Sequence, residues 1–294
     1  MVLMSTPPQV MTRQSALQKA IEILGTQPIA RQDAETLLCH VLGCTPTSLI
    51  SHSESWLTES QWQQFQALLG QRQLGHPIAY LTQERGFWDM NLQVSPATLI
   101  PRPDTELLVA QALEKIPKNA FCADIGTGTG AIALAMAGER PDSYWLACDL
   151  YAATLQIAVA NARRNQRDNV HFVQGDLANM LACESLDLCV SNPPYIADAD
   201  PHLMQGDLRF EPRHALASGQ DGLDAIRLLV QQAYRVLKPQ GWLMIEHGWQ
   251  QAAAVQALFR QAGFTEITAC QDFGGQDRLV IGRKRRVDTV KSDS

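Results

Sequence analysis

A glycine-rich turn between an apolar strand and a helix most constrains how this 294-residue chain can fold. The run 121–125 is short and apolar, Gly126, Gly128 and Gly130 follow it, and 131–137 has helical spacing. Glycine allows the positive φ angles of a tight turn and lets a ligand approach the backbone closely. The segment therefore predicts a strand, a ligand-binding loop and a helix in succession.

After this turn, strand-like and helix-like segments alternate along the chain. Such alternation predicts a mostly parallel sheet covered by helices on both faces. Right-handed crossovers then bring every ligand-binding loop to one edge, outside the carboxyl ends of the strands. We therefore predict an α/β fold with a mostly parallel, seven-stranded, Rossmann-like sheet. Its further segments are strands at 143–148, 170–173, 186–190 and 242–246, a helix at 152–164, and a closing strand pair at 265–269 and 278–281.

The chain before residue 85 has a different pattern. Apolar residues over 14–73 recur at three- and four-residue spacing, which predicts a small helical bundle. Ser60 stands where it can cap a helix that begins at Gln61. We predict an N-terminal helical docking domain over 1–84, a β-hairpin-like connector over 85–104, a catalytic domain over 105–286 and a polar tail over 287–294.

Composition limits the class of protein. The chain has 24 Lys and Arg against 30 Asp and Glu, so no stable nucleic-acid partner held by clustered positive charge is expected. Its seven cysteines form no C-x-x-C pair, which favours a reduced, cytoplasmic protein without a metal. A secretory leader and an apolar stretch of the roughly 20 residues that span a bilayer are both lacking, so no membrane association is expected.

The glycine loop carries a further signal in its spacing. A dinucleotide-binding loop has the pattern G-x-G-x-x-G, whereas this loop has G-x-G-x-G with Asp124 two residues ahead of it. A carboxylate suits a ligand with an ammonium and a sulfonium group better than it suits a pyrophosphate. The loop therefore favours S-adenosyl-L-methionine over a nicotinamide cofactor. The predicted cofactor contacts are Asp124, Gly126, Thr127, Gly128, Thr129 and Gly130.

Acidic residues end the next two strands. Asp149 ends the second strand, where a carboxylate can accept hydrogen bonds from both hydroxyls of a ribose. Asp176 ends the third strand and is predicted to reach the exocyclic amine of adenine, with Leu177 flanking the base. The alternatives are a helix N-cap at Asp149 and an ordinary turn acid at Asp176.

Asn192-Pro193-Pro194-Tyr195, after the apolar strand 186–190, is the strongest catalytic signal. The Asn192 side-chain carbonyl and the Pro193 backbone carbonyl present two acceptors to an NH2 group, and Tyr195 can cover a flat substrate. An amide nitrogen is a poor nucleophile because its lone pair is delocalised. Since two acceptors orient that lone pair, the tetrapeptide predicts methyl transfer to a planar amide or amine nitrogen.

These motifs resemble those of the peptide chain release factor glutamine N5-methyltransferases of the HemK/PrmC type, over nearly the whole chain. The resemblance implies that the target is the glutamine of the Gly-Gly-Gln loop in bacterial class 1 release factors 1 and 2, held between Asn192, Pro193 and Tyr195. It implies S-adenosyl-L-methionine as donor and S-adenosyl-L-homocysteine as product, with Asn192 also in contact with the cofactor, and we expect a monomer. The matching segments are 100–106, 124–130, 191–196, 210–216, 221–223 and 277–278.

Within the first matching segment, Arg102 and Glu106 are predicted to shape the substrate pocket, with Glu106 facing the cofactor. The histidines His214 and His247 are interpreted as structural or exposed. Gly274-Gly275-Gln276 matches the target tripeptide, and we interpret it as a hairpin turn that matches by chance.

Other functions stay open at this point. A ribosomal-protein glutamine methyltransferase would resemble the 100–106 segment only in part. A DNA adenine-N6 methyltransferase would share Asn-Pro-Pro-Tyr but should carry a basic target-recognition region. The glycine spacing counts against a nicotinamide dehydrogenase, and the intact tetrapeptide counts against a non-catalytic binding module.

Overall fold

The computed structural model describes residues 9–25 and 28–286. The chain divides between Gln83 and Glu84 into two compact units. The sequence suggests a boundary one residue later, and the hairpin expected as a connector belongs to the second unit. The predicted polar tail, 287–294, lies outside the described residues.

The first unit is predominantly helical, in line with the apolar periodicity of its sequence. Its core contains aliphatic side chains from every helix described in this unit, together with Phe65, which is fully buried. Its elements are β1 (Gln9–Thr12), α1 (Arg13–Leu24), α2 (Pro28–Leu42), α3 (Pro46–Ser51), β2 (Trp56–Thr58), α4 (Glu59–Gln73) and α5 (Ile78–Thr82).

Two local features of this unit differ from the sequence prediction. The short strands β1 and β2 pair antiparallel, which the helical periodicity did not indicate. Helix α4 begins at Glu59 rather than Gln61, and Thr58 rather than Ser60 caps it. The reason is a capping box, in which the Gln61 side chain accepts a hydrogen bond from the Thr58 N–H at 3.0 Å while the Thr58 hydroxyl accepts one from the Gln61 N–H at 3.2 Å.

The second unit contains the predicted α/β fold. A β-hairpin comes first, and the alternating strands and helices follow. Its elements are β3 (Glu84–Phe87), β4 (Met90–Gln93), α6 (Glu106–Lys115), β5 (Phe121–Ile125), α7 (Ala131–Glu139), β6 (Tyr144–Asp149), α8 (Ala152–Arg164), β7 (Val170–Gln174), β8 (Leu186–Ser191), α9 (Asp224–Val236), β9 (Leu237–Glu246), α10 (Ala252–Ala262), β10 (Phe264–Gln271) and β11 (Asp277–Lys284).

Seven of these strands form one sheet in the order β10-β11-β9-β8-β5-β6-β7. Strands β5 to β9 pair in parallel, while β11 is antiparallel to both of its neighbours. The prediction of a mostly parallel, seven-stranded sheet is confirmed. The strand order reverses between β5 and β8, and open α/β sheets bind their ligands at such a switch point.

Helices cover both faces of this sheet. On one face the buried side chains of α6 and α7 pack against the strands, with Trp145 of β6 in the same cluster. On the other face α9 and α10 do so, and Phe259 is fully buried there. Within the described part of the chain, none of the helices combines the length and apolarity needed to cross a membrane. Because helices cover both faces, a ligand can reach this sheet at the carboxyl ends of its parallel strands.

Candidate active site

The glycine loop joins β5 to α7 through three left-handed residues. Gly126, Gly128 and Gly130 have φ angles of 73°, 58° and 84°. The N–H groups of Gly126 and Thr127 both donate to the Cys148 carbonyl at 2.9 Å, which ties the loop to β6. Because non-glycine residues are strained at such angles, the three glycines are what allows the chain to turn here.

Asp124 lies beneath this loop and is fully buried. Its Oδ2 accepts hydrogen bonds from the Thr127 hydroxyl at 2.7 Å and the Ala133 N–H at 3.3 Å. Oδ1 has no hydrogen-bond partner among the described residues. Burial raises the pKa of Asp124 to about 7, against the lowering effect of those two hydrogen bonds. The carboxyl therefore braces the loop and retains one unsatisfied oxygen.

Asp149 stands at the end of β6 and joins two neighbouring loops. Its Oδ2 accepts from the Gly128 N–H and its Oδ1 from the Tyr151 N–H, each at 3.1 Å. Burial raises the pKa of this carboxyl, and the two backbone donors oppose the shift. Beyond β7, Leu177 has a φ of 50°, which an aliphatic side chain adopts only where the surroundings impose it.

Asn192 begins the loop after β8. Its Nδ2 donates to the Thr105 hydroxyl at 3.1 Å, so Oδ1 is the acceptor that the side chain presents. One residue earlier, the Ser191 hydroxyl donates to the Ile125 carbonyl at 2.6 Å. That bond joins the start of the predicted catalytic tetrapeptide to the start of the glycine loop.

Tyr195 turns its hydroxyl toward the sheet. The hydroxyl donates to Glu246 Oε1 at 3.4 Å, and the Tyr195 carbonyl accepts from Gln251 at 2.9 Å. Burial and the nearby Glu246 carboxyl raise the pKa of Tyr195 above its usual range. Tyr195 therefore remains a neutral hydrogen-bond donor at physiological pH.

Arg102 and Glu106, predicted to shape the substrate pocket, are bound to neighbouring loops. Arg102 pairs with Glu211, a buried carboxyl that also accepts from the Ile100 N–H at 2.9 Å. Glu106 accepts from the Trp88 N–H at 3.0 Å in the hairpin turn. Both side chains are thus engaged in holding loops together, and neither lines the cavity at the sheet edge. That Glu106 faces the cofactor stays a prediction.

One cavity of about 210 Å³ brings most of the predicted residues together. Gly130, Pro193 and Tyr195 are adjacent in sequence to lining residues, and Asp124 lies two residues before Gly126, but none of these four lines the cavity. The predicted residues that line it are Gly126, Thr127, Gly128, Thr129, Asp149, Asp176, Leu177, Asn192 and Pro194.

Thr105 and His214 are among the lining residues that the sequence did not predict for the site. Thr105 lies within the motif segment 100–106, from which the sequence prediction selected only the charged residues Arg102 and Glu106. His214 lies in the connection between β8 and α9, and its ring centroid lies 3.8 Å from that of Tyr151. Desolvation lowers the pKa of His214, although Asp149 opposes the shift. The imidazole is therefore neutral at physiological pH. Only the fold shows that His214 lines the cavity.

These residues fit a ligand that combines a positive charge, a ribose and a flat base. The unpaired oxygen of Asp124 suits a nearby cation, and Asp149 suits hydroxyl donors. Leu177 adds apolar surface. Across 9–25 and 28–286, no group of three or more His, Cys, Asp or Glu side chains is arranged to hold a metal ion.

Gly130→Ala is expected to destabilise the second unit by about 1–2 kcal/mol. The added Cβ would lie 3.1 Å from Leu134 Cδ1, at a φ of +84°. Urea denaturation followed by circular dichroism measures the change. Gly86→Ala is the matched control, since its Cβ would meet nothing within 4 Å and its φ isn't in the left-handed region. Equal stability of the two variants would contradict the role assigned to the turn.

The sequence of this chain is similar to that of known enzymes. Residues 15–82 match a family model described as the PrmC N-terminal domain, and residues 103–208 match one described as the methyltransferase small domain. The release factor glutamine methyltransferase of Xylella fastidiosa strain 9a5c is 49% identical over 266 residues, covering 90% of this chain and 97% of that protein. The enzyme of the same name from Escherichia coli K12 is 46% identical over 274 residues, covering 93% and 99%.

Solved structures share the fold at much lower sequence identity. A methyltransferase from Pyrococcus furiosus superposes with a TM-score of 0.53 at 17% identity, covering 75% of this chain and 98% of that one. At that identity the likeness concerns the fold alone.

Proposed function

Since this chain belongs to the release factor glutamine methyltransferase family, we propose that it methylates the side-chain N5 of the glutamine in the Gly-Gly-Gln motif of class 1 release factors. Methyl transfer is the chemistry of the family, and its targets in this proposal are release factors 1 and 2. Family membership favours this function over a ribosomal-protein glutamine methyltransferase and over a DNA adenine-N6 methyltransferase.

One observation carries the proposal. Asn192 and Pro194 line the same cavity as the glycine loop and Asp149. The hydrogen-bond acceptor of the tetrapeptide and the predicted cofactor site thus share one cavity. Bound reactants that are aligned in this way can lower a barrier by roughly 7–11 kcal/mol.

The cofactor of the proposal is held by the loop and strand ends. S-adenosyl-L-methionine supplies a sulfonium methyl group when bound, and S-adenosyl-L-homocysteine is the product. Gly126 to Thr129 offer their backbone to the ligand, and Asp149 accepts hydrogen bonds from its ribose. Asp176 accepts a hydrogen bond from the exocyclic amine of the adenine, and Leu177 flanks the base. Asp124 contributes negative charge from beneath the loop.

The substrate amide is oriented by the tetrapeptide. Asn192 Oδ1 and the Pro193 carbonyl accept hydrogen bonds from the two N–H groups of the glutamine NH2. The nitrogen lone pair then points away from these two oxygens. The Asn192 NH2 group is already engaged by Thr105 at 3.1 Å, so the oxygen is the atom presented. A new N–CH3 bond forms as the methyl–sulfur bond breaks, and the nitrogen then loses one proton.

The cellular setting is part of the same proposal. All seven cysteines are free, which supports a reducing cytoplasm. We place the enzyme there as a monomer that engages one release factor at a time, without stable nucleic-acid or membrane partners. The tripeptide Gly274-Gly275-Gln276 is not a substrate in this proposal, because the Asp272 carboxylate holds the N–H groups of Gly274 and Gln276 at 2.8 and 3.0 Å in the β10–β11 turn.

Incubation with methyl-labelled cofactor tests the proposed function. Purified release factor, ribosomal proteins and DNA are offered separately, and labelled peptides are sequenced by mass spectrometry. We expect label on the glutamine of the Gly-Gly-Gln motif and at least tenfold less on ribosomal proteins and DNA. Label confined to DNA, or to ribosomal proteins, would contradict the proposal.

A further inference from the structure

Two loops line the cavity at the carboxyl edge of the sheet without a role in the proposed methyl transfer. One is the 97–102 segment ahead of α6, four residues of which line the cavity. The other is the 210–216 segment between β8 and α9, which contributes His214 and Ala215. Because these segments are distant in sequence, the shape of the cavity depends on the contacts that hold them together.

A single buried carboxylate joins the two segments. The side chain of Glu211 is fully buried, its Oε2 accepts from the Ile100 N–H at 2.9 Å, and its Oε1 pairs with the Arg102 guanidinium. A desolvated carboxylate is costly unless it is paired and hydrogen-bonded, and here both partners come from the 97–102 segment. We call Glu211, Ile100 and Arg102 the clasp.

The other end of the 210–216 segment is tied to the tetrapeptide loop. The Ile196 N–H donates to the Leu216 carbonyl, and the Ser218 N–H donates to the Ile196 carbonyl, each at 2.9 Å. Ile196 directly follows Tyr195 in the chain. Loss of the clasp would therefore release the start of the segment while the tie at Leu216 remains.

His214 lies between these two ties, in a turn of 3-10 helix, Arg213–Ala215. Its ring centroid is 3.8 Å from that of Tyr151, with the ring planes inclined at 38°. Tyr151 also lines the cavity, and its N–H donates to the Asp149 carboxylate at 3.1 Å. The two rings therefore form a wall of the cavity beside the predicted ribose contact.

We propose that Glu211 is a positioning residue for the cofactor, whose clasp holds His214 against Tyr151 as a wall beside the ribose of bound S-adenosyl-L-methionine. The inference rests on the proposed function. The clasp consists of the protein's own groups, so it shapes the cavity before the cofactor arrives. An apparent Kd equals the intrinsic Kd divided by the fraction of protein in the binding-competent arrangement, and the clasp keeps that fraction high.

Glu211→Gln tests the clasp directly. Glutamine has nearly the same size, but its NH2 group would meet another donor, either the Ile100 N–H or the Arg102 guanidinium. We expect the Kd for S-adenosyl-L-methionine, measured by calorimetry on the full chain, to rise by on the order of tenfold. At saturating cofactor, kcat on purified release factor should return to within about threefold of the wild-type value, because the tetrapeptide is unchanged.

Asp187→Asn is the matched control for loss of a structural ion pair. Asp187 likewise accepts from a backbone N–H, that of Phe121 at 2.9 Å, and pairs with a cation, Lys238, at 2.8 Å. It lies at the amino end of β8 and does not line the cavity. This variant should lower the midpoint of urea unfolding and leave the Kd within about twofold of the wild-type value. An equal rise in Kd in both variants would overturn the proposal.

His214→Ala tests the wall that the clasp positions. His214 is exposed, so alanine leaves the core intact, and this variant is informative even where Glu211→Gln folds poorly. Its Kd should rise about as far as that of Glu211→Gln, and the double variant should bind no more than about twofold more weakly than the weaker single variant. His202→Ala, an exposed histidine of the same connection that does not line the cavity, should keep the wild-type Kd. Multiplicative losses in the double variant, or an unchanged Kd in His214→Ala, would overturn the proposal.

Hydrogen exchange in the cofactor-free protein gives a measurement that does not depend on binding. Peptides that cover the 97–102 and 210–216 segments should exchange at least about tenfold faster in Glu211→Gln, since the Ile100 N–H loses its acceptor or the segment opens. Peptides of the glycine loop should exchange at the wild-type rate. Equal exchange of both segments in the two proteins would contradict the clasp.

The assays distinguish this inference from the function on which it rests. Wild-type enzyme that binds the cofactor and labels release factor, while Glu211→Gln keeps the wild-type Kd, contradicts the role of Glu211 alone. Wild-type enzyme that binds no cofactor contradicts both.

Discussion

Asn192→Ala is expected to lower kcat on release factor by on the order of 10²- to 10³-fold, comparable to the loss of one essential donor in other active sites. Alanine removes the oxygen that the Thr105 contact presents, so the glutamine amide loses one of its two acceptors. Its nitrogen then keeps more of its delocalised, weakly nucleophilic character. A radiolabelled-methyl assay measures kcat, and calorimetry measures cofactor binding.

Cofactor affinity should change by less than about fivefold in this variant, because the glycine loop and Asp149 are untouched. Asn91→Ala, at an exposed position of β4, serves as the control and should be unaffected. A variant at position 192 that turns over at the wild-type rate would exclude the assigned role. A large loss of cofactor affinity with normal kcat would assign Asn192 to the cofactor instead.

Asp149→Ala is expected to act on affinity rather than on turnover. The carboxylate sits on the cavity wall, and a charge-assisted hydrogen bond contributes roughly 1.5–3 kcal/mol. Loss of one corresponds to a Kd for S-adenosyl-L-methionine that rises by on the order of 10- to 100-fold. At saturating cofactor, kcat should fall by less than about threefold. Calorimetry and a saturation curve measure the two quantities.

Asp149 also holds the N–H groups of Gly128 and Tyr151, so part of the loss in Asp149→Ala comes from a looser loop. Asp149→Asn keeps one acceptor oxygen and should bind the cofactor with intermediate affinity. Asp168→Ala, an exposed acid after α8, is the control. An unaltered Kd in Asp149→Ala would refute the ribose contact.

Much of the sheet could be predicted because its signals are local. The apolar run of β5 and the glycines after it are contiguous in sequence, and α8 was predicted with the bounds it has, Ala152–Arg164. Strands β1 and β2 could not be found in this way. They have four and three residues, and each exists only because the other pairs with it.

The site was predictable at the strand ends and less so in the loops. Asp149 and Asn192 follow strands, so the topology of the sheet fixes their place. The ion pair of Arg102 could not be predicted, because its partner, Glu211, lies 109 residues away. A buried carboxylate requires a cation or several donors, and no local pattern reveals which distant group supplies them.

Thr105 and Glu246 illustrate a different limit. Both lie in or beside recognisable motifs, but residues are selected from a motif mainly by their charge and rarity, so neither was predicted for the site. Thr105 gains its significance from one contact with Asn192, and Glu246 from its burial. The signal that sequence reasoning could have used is the position of Glu246 at the carboxyl end of β9, the edge where every ligand loop was expected.

The bond from Ser191 to the Ile125 carbonyl has a consequence for how such enzymes diverge. It joins two adjacent strands, which lie about 4.8 Å apart in a sheet. The proposed methyl donor and acceptor sites thus lie on two hydrogen-bonded strands of one sheet, and their alignment would be inherited with the fold. New targets can evolve through the long connection over 196–223 and through the N-terminal helices, while the distance between the reacting groups stays constant.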